Sequence, residues 1–263
     1  MTATARLDTL IDTHCHLDAA EFDADREAVA AAATACGVTR IVIPAVERAN
    51  FGAVASVCRE FPSCVAAYGI HPMYVDRARE SDLEALRDTL AAEPAVAVGE
   101  IGLDRYVEPR DDARQEFYFV EQLKIARDFG LPVILHVRRA IDPVLKQLRR
   151  IGVAGGIAHA FNGSRQQADE FIKLGFALGF GGAMTYPRAA RIRELAATLP
   201  ADAIVLETDA PDMAPAWLPG GRNAPGELPR VAAELAGLRG MAPADIVAAT
   251  GRNARRVLPR LPQ

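Results

Sequence analysis

The sequence predicts an α/β protein of the (β/α)8 barrel, or TIM-barrel, class, and three observations lead to it. Short apolar runs alternate with longer amphipathic stretches along the whole chain, as strand–helix repeats do. Eight such repeats fit into 263 residues, and about 250 residues is typical of one barrel. Continuous apolar runs such as PVILH are typical of strands buried on both faces. A doubly wound open sheet is the alternative, but no glycine-rich phosphate loop follows the first strand. We expect one domain spanning residues 1–263.

The elements follow in order along the chain. The apolar runs predict strands at Leu10–Thr13, Arg40–Pro44, Cys64–Tyr68, Val96–Glu100, Pro132–His136, Gly155–His159, Phe176–Phe180 and Ile204–Glu207. The amphipathic stretches predict helices at Asp25–Cys36, Asn50–Glu60, Ser81–Ala92, Arg110–Phe129, Ile141–Arg149, Arg165–Leu174, Ala189–Leu199 and Leu228–Leu238. We expect the loop Met213–Pro225, rich in Pro and Gly, to cover the barrel mouth, and a short last helix, Pro243–Thr250, to pack on the outside.

Residues typical of helix ends support these boundaries. Ser81 and Ser164 precede helical patterns and are candidate N-caps. Glycines also follow four predicted helices, where a left-handed residue is favoured. They are Gly37, Gly130, Gly152 and Gly175.

Composition limits the function classes. A formal charge of −4 and a pI near 5.8 argue against a surface that grips nucleic acid non-specifically, so any polyanionic substrate needs local positive charge. The four cysteines form no C-x-x-C pair, and no apolar run approaches the ~20 residues of a membrane span. The first ten residues, MTATARLDTL, lack the apolar core of a signal peptide. We expect a cytoplasmic enzyme with no membrane partner; the oligomeric state is open, and a monomer is compatible with the sequence.

All five histidines stand where a predicted strand ends: His14, His16, His71, His136 and His159. Barrel enzymes build their sites at the carboxyl ends of their strands, and neutral imidazole is the commonest side-chain metal ligand. Residues i and i+2 of a strand share a face, so His14 and His16 should both point into the barrel. A hydrogen-bonded pair of structural histidines is the alternative for this motif alone.

Two carboxylates complete a metal-ligand set. Glu100 ends the fourth predicted strand and Asp209 follows the eighth. With His14, His16, His136 and His159 they match the ligand count of two divalent ions that share one carboxylate; Zn, Mn, Mg, Fe or Co would suit these ligands. Some barrel hydrolases bridge their metals with a carbamylated lysine, but all three lysines lie in predicted helices. We therefore expect Glu100 to be the bridge.

The chain resembles a known family through the segments IDTHCHLD, GIHP, GEIGLD, LPVILHVRRA, AHAFNGS, LETDAP and TGRNARRV. Together, and in this order, they look like the TatD family of metal-dependent hydrolases and deoxyribonucleases, over nearly the whole length. YPRA and ETDAPDM look closest to its YjjV-type subgroup. The resemblance implies a TIM barrel and divalent-metal-dependent cleavage of DNA phosphodiester bonds, in some members as a 3′→5′ exonuclease. It also implies two ligand sets: His14, His16, Glu100 and Asp209 for one ion, and Glu100, His136 and His159 for the other.

Departures from the family pattern affect substrate choice more than metal binding. Val137 follows His136 where the family usually has serine, and Leu258 stands where many members carry phenylalanine. Neither position is an expected ligand. Asn223, on the predicted mouth loop, is a weak candidate for contact with the substrate.

Five residues are candidates for substrate binding. His71 lies in GIHP, a motif that does not usually supply a metal ligand, so we expect it to support the site by hydrogen bonding or to contact phosphate. Arg138 and Arg139 follow a ligand-bearing strand and could clamp phosphate through their guanidinium groups, or could be solvated charges at a helix start. Tyr186 and Arg188, after the seventh strand, are similar candidates.

The expected chemistry is attack by a metal-activated hydroxide. Two ions can share a water and lower its pKa towards ~7. Asp209 would orient this nucleophile and accept its proton. The same centre could hydrolyse a carboxylic ester, a lactone or an amide, as in a small-molecule amidohydrolase or a deacylase of misacylated tRNA, because the fold does not select the reaction. A non-catalytic binding protein would require a broken ligand set, and every member is present.

Overall fold

Eight parallel strands close into a TIM barrel in residues 10–262, the part of the chain that the computed structural model describes. Residues 1–9 and 263 of the predicted domain lie outside it. Each strand pairs with the next in chain order. The strands are β1 (Leu10–Asp12), β2 (Val38–Pro44), β3 (Cys64–Tyr68), β4 (Ala97–Asp104), β5 (Val133–Arg138), β6 (Gly156–Ala158), β7 (Phe176–Phe180) and β8 (Ile204–Leu206). The predicted fold class is confirmed.

Within residues 10–262 an α-helix follows each strand, and a ninth comes after the eighth. They are α1 (Arg26–Ala35), α2 (Phe51–Glu60), α3 (Ser81–Ala92), α4 (Asp112–Asp128), α5 (Ile141–Ile151), α6 (Arg165–Lys173), α7 (Ala190–Thr198), α8 (Leu228–Arg239) and α9 (Pro243–Val257). Within residues 10–262, none is both long and apolar enough to cross a membrane.

The predicted helix-capping residues are confirmed except at one position. Ser164 caps α6 by accepting the N–H of Gln167, whose side chain in turn accepts the N–H of Ser164. The four predicted glycines all have positive φ, from 61° to 92°. The prediction for Ser81 is wrong, because α3 begins at Ser81 itself; Asp82 instead reaches back to accept the N–H of Arg79 at 2.9 Å.

Hydrogen bonds beyond the strand ends join β8 to β1. The buried carboxylate of Asp12 accepts the N–H of Thr208 at 3.0 Å and its hydroxyl at 2.6 Å. One step further along, the N–H of Asp209 donates to the carbonyl oxygen of His14 at 2.8 Å. Residues 195 positions apart in the chain are thus held side by side at the barrel mouth.

The barrel interior is filled from both the strands and the last helix. One buried apolar residue from each strand contributes: Ile11, Val42, Ala67, Ala97, Ile134, Ile157, Ala177 and Val205. Ala254, Val257 and Leu258 pack into the same cluster. The prediction of a short outer helix is therefore wrong: α9 runs seven residues beyond Thr250, and its apolar end seals the barrel opposite the mouth.

Candidate metal centre

The expected ligands on the β1 and β8 loops form a tight group. The Nε2 atom of His14 lies 3.2 Å from His16 Nε2 and 3.6 Å from Asp209 Oδ1. His16 Nε2 lies 3.7 Å from the same carboxylate oxygen. Both histidines lie beyond β1, which ends at Asp12, and both nevertheless point to the centre. The hydrogen bonds that join β1 to β8 explain why Asp209 meets them.

Glu100 lies deeper than the sequence predicted. It was expected to end the fourth strand, but β4 continues to Asp104 because its pairing with β5 persists to Asp104 and Arg138. For the same reason His136 is not the last residue of β5. Glu100 is consequently buried, with 2% of its surface exposed.

The two oxygens of Glu100 face different sets of histidines. Its Oε2 lies 3.1 Å from His14 Nε2 and 3.7 Å from His16 Nε2. Its Oε1 lies 3.1 Å from His136 Nδ1 and 3.7 Å from His159 Nε2. This is the geometry expected of a carboxylate that bridges two ions.

Three groups of side chains offer ligand atoms that all lie within 4.8 Å of one another. They are His14, His16 and Asp209; His14, Glu100 and His159; and His71, Glu100 and His136. The expected trio of Glu100, His136 and His159 is not among the groups found in residues 10–262, so the division of ligands between the two ions stays a prediction. Imidazole nitrogens with carboxylate oxygens, and no thiol, fit Zn, Mn, Fe or Co.

His71 reaches the centre as a hydrogen-bond donor. Its Nδ1 accepts the N–H of Met73 at 3.1 Å, so the proton of the neutral ring is on Nε2. Nε2 lies 3.5 Å from Glu100 Oε1, towards which it can donate. A protonated nitrogen has no lone pair for a metal. The geometry therefore supports the expected hydrogen-bonding role of His71 rather than ligation.

Two buried carboxylates that the sequence analysis missed stand behind the ligand histidines. Asp104 Oδ2 lies 2.9 Å from His136 Nε2, and Glu207 Oε1 lies 3.2 Å from His159 Nδ1. Such partners fix the tautomer of a ligand histidine and leave its other nitrogen free for the metal. Both acids belong to the quoted segments, GEIGLD and LETDAP, where Asp104 comes four residues after Glu100 and Glu207 two residues before Asp209, so the signal was a second acid in each segment.

Charge in the centre is balanced between acids and imidazoles. Burial alone would raise the pKa of Glu100, but the surrounding imidazoles, led by His14, hold that pKa well below its usual range. Burial opposes a charged His159, yet the neighbouring carboxylates, led by Asp209, raise its pKa to about 10. Burial raises the pKa of Asp209 to about 6. The metal-free cluster thus takes up protons where cations would supply positive charge.

The candidate substrate residues lie in two separate places at the mouth, at the end of β5 and after β7. Arg138 ends β5 and Arg139 follows it, and their guanidinium carbons lie 3.8 Å and 4.5 Å from the centre of the Tyr106 ring. After β7, Tyr186 and Arg188 line a groove of about 620 Å³.

The groove adjoins the metal centre through the loop after β8. Met213 lines both the groove and a smaller cavity next to Asp209. The side-chain amide of Asn223 donates to the carbonyl oxygens of Thr208 (2.8 Å) and Asp212 (2.9 Å). Because both amide bonds are internal, Asn223 shapes this mouth loop.

The chain is similar to known proteins in both sequence and structure. The family model described as "TatD related DNase" matches residues 11–259. The uncharacterized metal-dependent hydrolase YjjV of Escherichia coli (strain K12) is 43% identical over 90% of this chain and 93% of its own. The 3′-5′ ssDNA/RNA exonuclease TatD of Cronobacter sakazakii is 32% identical over 94% of this chain and 97% of its own. A crystal structure of the Escherichia coli YjjV protein superposes with a TM-score of 0.92 at 40% identity, covering 96% of this chain and 98% of that one.

Proposed function

This chain belongs to the TatD-related DNase family of metal-dependent hydrolases, and from that premise we propose that it cleaves phosphodiester bonds of single-stranded DNA from the 3′ end, with two divalent ions. The observation that carries the proposal is Glu100, whose two oxygens face separate sets of ligand atoms. A pair of ions sharing one carboxylate suits in-line displacement at phosphorus, because both the attacking and the leaving oxygen need a nearby positive charge. The name of the Cronobacter relative supports a polynucleotide substrate.

Six residues would hold the ions, and one of them, Asp209, would also accept a proton. Glu100, Asp209, His14, His16, His136 and His159 would hold the ions, which when bound supply an activated water and neutralise charge on phosphate. The protein supplies the remaining steps through its own side chains.

Asp209 is placed to move the proton. Its side chain is 15% exposed against 3% for Glu100, so it faces the mouth by which substrate enters. We assign to it the proton that the attacking water releases and its later return to the leaving oxygen. His71, Asp104 and Glu207 keep the ligand side chains in position through the contacts described above.

A matrix of metals and substrates tests the proposal. Chelator-treated protein is assayed with Mg²⁺, Mn²⁺, Zn²⁺ or Co²⁺ on an oligodeoxynucleotide labelled at either end, an RNA of equal sequence, bis(p-nitrophenyl) phosphate, a panel of carboxylic esters and amides, and a misacylated tRNA. We expect metal-dependent shortening from the 3′ end, with two ions bound per chain. Hydrolysis of the esters, amides or misacylated tRNA without cleavage of any phosphodiester would replace the proposal with the carbonyl-hydrolase alternative.

A further inference from the structure

The rim of the metal centre on the β4–β5 side carries an aromatic platform. On β5, Arg138 lies two residues beyond His136, on the same face and about 6.6 Å further out along the strand. On β4, Asp104 contacts His136 through Oδ2, while its Oδ1 accepts the N–H of Tyr106 at 2.7 Å. One buried carboxylate thus connects a metal-ligand candidate to the loop that presents Tyr106.

Two cations rest on this platform without an acidic partner. The guanidinium groups of Arg138 and Arg139 both stack on the Tyr106 ring, which is 46% exposed. In residues 10–262 neither arginine lies within ion-pair distance of a carboxylate, whereas the nearby Arg105 and Arg110 both pair with Asp112. Stacked guanidinium groups keep their N–H donors free, and planar forks of this kind suit phosphate oxygens. The rim therefore offers paired positive charge to an incoming anion.

We propose that Arg138 and Arg139, held on Tyr106, bind the phosphate next to the scissile one, and thereby make a polynucleotide a better substrate than an ester with a single phosphate. This inference rests on the proposed phosphodiesterase function. The scissile phosphate has to sit at Glu100 and the ligand histidines, while Arg138 lies further out along its strand. A nucleic acid strand carries a phosphate at each nucleotide, so its next phosphate can reach the rim. A protein with a net charge of −4 has no general attraction for a polyanion, so these local cations carry the recognition.

The test compares two substrates on metal-loaded protein. The variant Arg138→Gln/Arg139→Gln is assayed on a dodecamer of deoxythymidylate and on bis(p-nitrophenyl) phosphate, which has no neighbouring phosphate. The ratio of kcat/KM for the dodecamer to that for the small diester is expected to fall at least tenfold, as for the loss of charge-assisted hydrogen bonds. The slope of log(kcat/KM) for the dodecamer against log[KCl] should become shallower by about 0.7, the value for one phosphate contact on a single strand.

Arg150→Gln is the control, because it removes one positive charge from an exposed arginine in the last turn of α5, at the opposite end of the barrel. It should leave both the ratio and the salt slope unchanged. An unchanged ratio in the double variant, with the wild type active on both substrates, would overturn the rim proposal alone. An equal loss on both substrates would overturn it too, since the arginines would then support the centre itself. A wild type inactive on both diesters would overturn the proposed function as well.

Discussion

Replacing Asp104 by asparagine tests whether the carboxylate behind His136 fixes which ring nitrogen of that histidine is free for a metal. Asp104 Oδ1 accepts the N–H groups of Tyr106 and Val107, and an asparagine carbonyl can keep both bonds. Its Oδ2, 2.9 Å from His136 Nε2, becomes an NH₂ group that donates instead of accepting. His136 Nε2 must then accept, which moves the ring proton to Nδ1. That nitrogen faces Glu100 at 3.1 Å and is the one needed for the metal.

The magnitude follows from the single contact that changes. A hydrogen bond to a charged group contributes roughly 1.5–3 kcal/mol. Substituting such carboxylate partners typically weakens metal affinity or activity about 10- to 100-fold, which is the same energy range. We expect a loss of this size for the ion next to His136 and a smaller loss for the ion next to His14 and His16. The unfolding temperature should change little, because both backbone bonds at Asp104 remain.

Calorimetric titration of the metal-free protein with Mn²⁺ and Zn²⁺ measures both affinities, and thermal denaturation measures stability. Asp142→Asn is the control, because it removes an exposed carboxylate whose side-chain hydrogen bond in residues 10–262 is with the amide of Gln167, away from the metal centre. If Asp104→Asn bound both ions as tightly as the wild type and turned over at the same rate, Asp104 would not determine the tautomer of His136, and the reasoning would fail.

Three further outcomes follow from the same geometry. Asp209→Asn should lower kcat by at least about 100-fold while leaving much of the metal binding, and wild-type-like rates would remove Asp209 from the mechanism. Gly179→Ala should weaken metal binding and lower the unfolding temperature, because its Cβ would lie 2.1 Å from Glu207 Oε2; Gly52→Ala, whose Cβ meets nothing within 4 Å, should do neither. Because the pKa of His159 is raised to about 10, its ring is protonated at pH 7 in the metal-free protein and must lose that proton to bind a metal. Metal affinity should therefore rise with pH, and titrations in buffers of different ionisation enthalpy should detect a released proton; enthalpies independent of the buffer would contradict this.

The sequence predicted the fold because each strand signal is local. A strand buried on both faces is an uninterrupted apolar run, and all eight such runs became strands of one barrel. Strand ends were harder to place, since pairing with a neighbour decides them: β4 continues to Asp104 only because β5 extends beside it. The position of α9 also could not be predicted from the local sequence pattern. An amphipathic helix has the same periodicity whether it packs on the outside of a barrel or closes one end of it.

The ligand candidates could be predicted because polar residues that end apolar strands are few. Their arrangement could not, because it depends on contacts between distant segments. Asp104 and Glu207 show this most clearly, since the sequence shows a second acid in each segment but does not show that this acid contacts a ligand histidine. The role of His71 likewise depends on one backbone N–H, that of Met73, which selects the tautomer.

The charges of the centre explain why the proposed substrate would need both the metal ions and the rim arginines. Glu100 and Asp209 lie among the ligand histidines, and Asp104 and Glu207 contact two of these histidines from behind, so four carboxylates gather where the proposed phosphodiester substrate would bind. Protonated histidines offset this charge in the metal-free protein, and a bound cation would displace such protons. Divalent ions held by these residues would add the positive charge that a phosphate at the centre needs, and they would act mainly there, because carboxylates surround them. Attraction for the rest of a nucleic acid strand has to come from cations that no carboxylate neutralises, and on this side of the mouth Arg138 and Arg139 are placed to supply it.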